Sequence, residues 1–184
     1  MMARRLFWVG FSAALLTAFG CSNDDSGGGT TGPAFVCTDG GAAAQNAVNT
    51  NCAGAVDPTT EVVDVVIGGT AAGTTTLRGV NFDVTYDPTK LDFVAAGTYT
   101  SPLFPSALVA VSLSSAGRVV VSVQQTGGDP AVTVPSGQSV VLSLTFQRAA
   151  GATFGPTPLG IENSEATSPS TPITFASGVA LSYQ

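Results

Sequence analysis

The chain contains no histidine, and only 10% of its residues are charged. The first absence removes the side chain that most often acts as general base near neutral pH, and with it any Ser–His–Asp arrangement. The second puts the chain well below the roughly 25% charged residues of ordinary soluble domains. Helix-favouring Glu, Lys, Gln and Arg are scarce, whereas Val, Thr, Ala, Gly and Ser dominate, a balance that favours strands and turns. The single Trp is Trp8. No apolar run reaches the roughly 18 residues that would cross a bilayer as a helix.

Basic residues are few as well: six Lys and Arg face twelve Asp and Glu, a net charge of −6. Two of the six, Arg4 and Arg5, precede a short apolar stretch. Without residues 1–20 the chain retains Arg78, Lys90, Arg118 and Arg148 against all twelve acids, a net charge of −8. Such a surface repels phosphate backbones and anionic headgroups, so no nucleic-acid partner is expected and any membrane attachment must be covalent or hydrophobic.

What is present at the N-terminus reads as an export signal. Met1–Arg5 is a short positive segment, and Leu6–Phe19 (LFWVGFSAALLTAF) is uncharged and too short to span a bilayer. Ala18-Phe19-Gly20-Cys21 resembles a lipobox, in which the cysteine is lipidated before cleavage. Leu is usual where Ala18 stands and a small residue where Phe19 stands. Ordinary cleavage after Gly20 also fits the small-x-small rule. Cysteine parity favours lipidation: Cys37 and Cys52 make a natural disulfide pair in an oxidising compartment, which leaves Cys21 as the odd one. Zinc is the other use of two thiols, but without His the ligand set is too small. Residues 21–33 then form a Gly/Ser/Asp tether that can bury almost nothing. The expected location is lipid-anchored outside the cytoplasm, at the outer membrane or cell surface, because Ser22 follows the cysteine.

Residues 34–60 are rich in Ala, Asn and Gly and read as an irregular, disulfide-stapled segment. From Glu61 the pattern is β. Val80, Phe82, Val84 and Tyr86 alternate with Asn81, Asp83 and Thr85; Val119, Val121 and Val123 alternate with Val120 and Ser122; Leu142, Leu144 and Phe146 alternate with Ser143 and Thr145. Period-2 runs between Gly/Pro turns, with no ten-residue helical stripe, predict an all-β antiparallel jelly-roll sandwich over 61–184. Asn81, Asp83, Ser143 and Thr145 fall on the solvent side of those runs.

Gly79-Val80-Asn81-Phe82-Asp83-Val84-Thr85-Tyr86-Asp87-Pro88-Thr89-Lys90-Leu91-Asp92-Phe93-Val94 resembles a cohesin domain, or a related carbohydrate-binding module. The likeness lies in an alternating strand, Tyr-Asp-Pro, and a Leu opening the next strand. Gly117–Val123, Gly137–Phe146 and Val179–Tyr183 resemble later strands of the same family. The resemblance implies a non-catalytic module whose flat sheet face binds a dockerin-like protein, or else a polysaccharide, in polysaccharide handling.

Candidate chemistry is thin. A glycosidase needs only two carboxylates, but Asp83, Asp87 and Asp92 read as turn or solvent-face groups, and Glu162 and Glu165 lie in a loop-like polar stretch. No spaced Asp/Asn/Gly loop for calcium is apparent, and no cofactor is expected. Asn81, Asp83, Gln124 and Gln125 could hydrogen-bond a glycan chain. Tyr99, Phe104 and Tyr183 remain as possible sugar-stacking rings, too few for a planar strip. A purely structural envelope module is the alternative to a binding function.

Overall fold

The computed structural model describes residues 35–39, 41–45, 47–69, 76–153, 155–167, 174–175 and 180–183. The signal segment, Cys21 and the tether lie outside them. In chain order the strands are β1 (Phe35–Thr38), β2 (Ala47–Asp57), β3 (Thr60–Gly69), β4 (Thr76–Leu77), β5 (Gly79–Thr85), β6 (Leu91–Val94) and β7 (Ala107–Ser115). They continue with β8 (Arg118–Gln125), β9 (Val132–Thr133), β10 (Gly137–Arg148), β11 (Pro156–Pro158), β12 (Gly160–Thr167), β13 (Thr174–Phe175) and β14 (Ala180–Tyr183). No helix occurs among the described residues.

Two sheets form the sandwich. One has the order β13-β2-β3-β10-β6 and the other β12-β5-β8-β7. A three-stranded sheet, β1-β14-β11, and a β4-β9 ribbon complete the set. Between strands, pairing is antiparallel except where β13 runs parallel to β2.

The alternating runs are what close the core. Val80, Phe82 and Val84 on β5 pair with Val123, Val121 and Val119 on β8, so both sets point to one side. Val63, Val65 and Ile67 of β3 and Leu142, Leu144 and Phe146 of β10 face them, and all twelve are at most 1% exposed. Each such side chain contributes roughly 1.5–3 kcal/mol through burial. Tyr86 packs edge-on against Phe146, with ring centroids 5.4 Å apart, and so ties the corner after β5 to the opposite sheet.

The turns repeat one device. Asp57-Pro58-Thr59 joins β2 to β3 and Asp87-Pro88-Thr89 precedes β6. In each, the Asp Oδ1 accepts from the Thr amide (2.7 and 2.9 Å) and the Thr hydroxyl (2.8 and 2.7 Å). Pro fixes φ at the second position while Asp supplies the acceptor that a turn needs. These bonds hold both carboxyl groups below the usual carboxylate range.

Three expectations need correction. Residues 34–60 are not an irregular leader, because β2 is a full member of the five-stranded sheet, registered from Val48 against Ile67 to Asp57 against Thr60. Its Ala- and Asn-rich sequence hid it, since burial beside β3 rather than intrinsic propensity makes the strand. The sequence from Leu77 to Tyr86 reads as one strand containing that alternation, but it is interrupted at Arg78, whose N–H donates to Thr167 O and whose C=O accepts from Gln125 N. Finally, Glu162 and Glu165 lie on β12 rather than in a loop, paired with Asp83 and Asn81 across a bulge.

Cys37 and Cys52 are disulfide-bonded, as expected. The bond joins β1 to β2, and Asp39 Oδ1 accepts from the Cys52 amide at 2.6 Å.

Candidate binding face

A strand that buries every second residue must present the others outward. On β5 those are Gly79, Asn81, Asp83 and Thr85, opposite Gln124, Ser122, Val120 and Arg118 on β8. Beyond them β7 adds Leu108, Ala110 and Ser112, and β12 adds Glu162 and Glu165. Small and uncharged residues occupy the β7 side, and the charges gather towards β12. Leu108 is 70% exposed, and Ala110 and Ser112 are exposed beside it.

Cross-strand hydrogen bonds order the polar part of this surface. Asn81 Oδ1 accepts from Ser122 Oγ at 2.7 Å and from Gln124 Nε2 at 3.1 Å. Gln124 reaches Asn81 because residue 79 is glycine: a Cβ there would lie 2.4 Å from Gln124 Oε1. Asp83 Oδ2 accepts from Arg118 Nε at 2.9 Å, from the same guanidinium's Nη2, and from Asn163 Nδ2 at 2.8 Å. Asn163 sits at the β12 bulge with a positive φ of 47°, which Asn tolerates better than most residues. The hydrogen bond to Asp83 raises the Arg118 pKa further above its ordinary value.

Asp83 is therefore buried, only 7% exposed, where the alternation predicts a solvent-facing carboxylate. The side chain does point to the outer side of the sheet, but Arg118 and Asn163 close over it. Nothing in the local sequence signals this, because Arg118 is 35 residues away and Asn163 is 80. Asn81 and Thr145 are half-buried and Ser143 is exposed.

Of the seven candidate ligand residues, three share this face: Asn81, Asp83 and Gln124. Gln125 and Tyr99 do not. Gln125 follows the inward parity of Val123, is half-buried, and leaves its Oε1 buried without a hydrogen-bond partner. Tyr99 belongs to the loop after β6 and lines a cavity of about 180 Å³ beside Ser143 and Thr145 of the other sheet. Its hydroxyl oxygen accepts from the Ala96 amide at 2.8 Å. Phe104 is a core residue, 1% exposed, rather than a stacking ring. The side chain of Tyr183 lies outside the described residues.

The outer side of the five-stranded sheet is more encumbered. The segment 41–45 crosses it: Asn49 Nδ2 donates to Gly41 O, and Ala43 N donates to Gln138 Oε1. At Gly68 the crossing is so close that a Cβ would lie 2.0 Å from Ala44 O. Val66 and Asn49 are buried beneath, 2% and 5% exposed. A recess of about 600 Å³ lined by Pro102, Leu103, Pro105, Val132 and Pro135, among others, draws none of its lining from the four-stranded sheet. Among the described residues no group of three or more His, Cys, Asp or Glu is placed to hold a metal ion.

This architecture is that of the cohesins. The sixth cohesin of scaffoldin B from Acetivibrio cellulolyticus, solved with a dockerin, superposes with a TM-score of 0.55 at 19% identity, covering 72% of this chain and 95% of that one. A type I cohesin–dockerin complex from Clostridium thermocellum gives 0.52 at 13% identity, over 74% and 93% of the two chains. The cohesin module of a Clostridium perfringens family 33 glycoside hydrolase gives 0.50 at 13% identity, over 74% and 94%. No protein-family model matches the chain, and no curated protein does. The chain thus has the cohesin jelly-roll fold, at identities that speak for the fold alone.

Proposed function

We propose that this chain is a non-catalytic, lipid-anchored binding protein that holds a partner protein on the outer face of its β12-β5-β8-β7 sheet. One observation carries the reading. That face is left exposed along β7 and is lined by small and hydrogen-bonding side chains already ordered by their own cross-strand bonds. Pre-ordered side chains lose little entropy on docking, and small residues allow close approach. Two of the three cohesins named above were solved in complexes with dockerins, which makes a dockerin-like helical module the partner to test first.

A polysaccharide partner has less support. No aromatic ring occupies the outward positions of this sheet among the described residues, and Asn81 Oδ1 and Asp83 Oδ2 already accept hydrogen bonds within the fold. Catalysis has less still, because Asp83 is tied to Arg118 and no histidine exists to act as base. Anchoring rests on Cys21, the one cysteine outside the disulfide.

The test is capture from the organism's own secreted proteins by the full chain, run beside a glycan array. Recovery of a dockerin-bearing protein, lost in Leu108→Glu and Ser122→Arg variants, supports the reading. Glycan binding without protein capture overturns it in favour of the sugar mode, and silence in both assays leaves a structural module. Labelled palmitate entering the wild-type chain but not Cys21→Ala supports the anchor, and equal labelling of both removes it.

A further inference from the structure

The four-stranded sheet ends in an unusual edge. A sheet's outermost strand offers unpaired N–H and C=O groups, and proteins blunt such edges with charge, bulges or brevity. The other edges here follow that rule. β6 has four residues, including an exposed Asp92; β12 carries Glu162 and Glu165 across a bulge; β13 has two residues. β7 does not: ALVAVSLSS is nine residues long with no charge, Gly or Pro. From Phe93 to Gly117 the chain has no charged residue. No described strand pairs with its outer side.

The register shows which backbone groups are free. Gln125 N donates to Arg78 O and Tyr86 N donates to Gly117 O, so odd-numbered β8 residues bond towards β5 and even-numbered ones towards β7. The β7 partners of the even set are Leu108, Ala110 and Ser112. Val109 and Val111 consequently turn their N–H and C=O groups to the open edge.

We infer that β7 is a self-pairing edge, adding antiparallel to β7 of a second copy of this chain about a two-fold axis at Ala110. In that register Val109 of each copy exchanges both backbone bonds with Val111 of the other. On the outer face Ala110 meets Ala110, and Leu108 meets Ser112, so neither bulk nor like charge opposes contact. Charge selects the occupant. The chain carries net −6, and this neutral edge is where two acidic copies approach without bringing carboxylates together. The bulge between Leu113 and Ser115 ends the flat segment and limits pairing to the stretch before it. The product is one continuous eight-stranded sheet that sets two candidate binding faces side by side, and it forms whether or not those faces hold a partner.

The test uses the full chain in detergent. Ala110→Cys places two thiols in a non-hydrogen-bonded pair, where Cα atoms lie about 4.5 Å apart, within disulfide range. Under oxidising conditions it gives a linked dimer of twice the 18.3 kDa chain mass. The wild type sets the background from Cys21, and Ser136→Cys, in an exposed turn, gives no more than that. Ala110→Lys puts like charges directly opposite on an exposed position, and it sediments as a monomer where the wild type sediments as a dimer, with unchanged circular dichroism. Cross-linking at background level overturns the inference. So does a cross-link to a different protein, or a dimer that survives Ala110→Lys.

Discussion

Arg118 directs both Nε and Nη2 to a single oxygen, Oδ2, of Asp83, and Asn163 donates to the same atom from the neighbouring strand. The carboxylate is thereby held beneath the outer surface of the sheet. The triad joins β5, β8 and β12 at the charged side of the candidate face, and orders the surface a partner would meet.

Removing the cation should cost more than removing the pair. Arg118→Ala leaves the Asp83 carboxylate buried with Asn163 as its remaining donor, so the melting temperature falls. Adding Asp83→Ala removes the stranded charge, and the double variant is less destabilised than the two single losses combined. A double-mutant cycle by thermal unfolding reads this directly, and simple additivity contradicts it.

Phe82 is 1% exposed at the centre of the core. Phe82→Ala should destabilise by about 3–5 kcal/mol, measured by urea unfolding. A loss under about 1 kcal/mol is incompatible with a packed site of this kind.

Gly68→Ala places a Cβ 2.0 Å from the Ala44 carbonyl oxygen, a backbone atom that cannot swing aside. Displacing the 41–45 crossing should cost about 1–3 kcal/mol, typical of overpacking. Gly97→Ala, which meets nothing within 4 Å, is the control and should be close to neutral.

Glu61 is 3% exposed, and burial raises its pKa above the ordinary 4.5, against the opposing pull of the Gly54 amide. A carboxyl whose folded pKa is raised favours folding when protonated. Its contribution is fully present below the unfolded value and is lost as pH rises through the folded one. Glu61→Gln should therefore stabilise the protein at pH 7, with the advantage shrinking to nothing at low pH. Thermal melts of both proteins across pH 3–7 would show the two curves converging on acidification; parallel curves would contradict the assignment.

The disulfide closes a loop with a sequence separation of 15, worth roughly 3 kcal/mol in the chain-entropy account. Because β2 belongs to the main sheet, Cys37→Ser/Cys52→Ser should lower global stability rather than merely loosen a leader. Hydrogen exchange would distinguish the two: faster exchange confined to β1 would contradict it.

Local pattern was enough to determine a great deal. Valines and phenylalanines at every second position can hide from water only on one side of a pleated strand, so β5, β8 and β10, their inward residues and the Asp-Pro-Thr turn before β6 were readable from the chain alone. So was the disulfide, from parity. Three things were settled only by tertiary structure. β2 has no strong strand propensity and exists because β3 lies beside it. Asp83 sits at an outward position, yet is buried by residues 35 and 80 positions away. Gln125 and Tyr99, grouped with Asn81 by chemistry, were separated by geometry, since strand parity turns one inward and the sandwich puts the other beside the opposite sheet. Period and turn chemistry act between neighbours in sequence, whereas burial, ion pairing and the sharing of a surface depend on which distant segments the fold brings together.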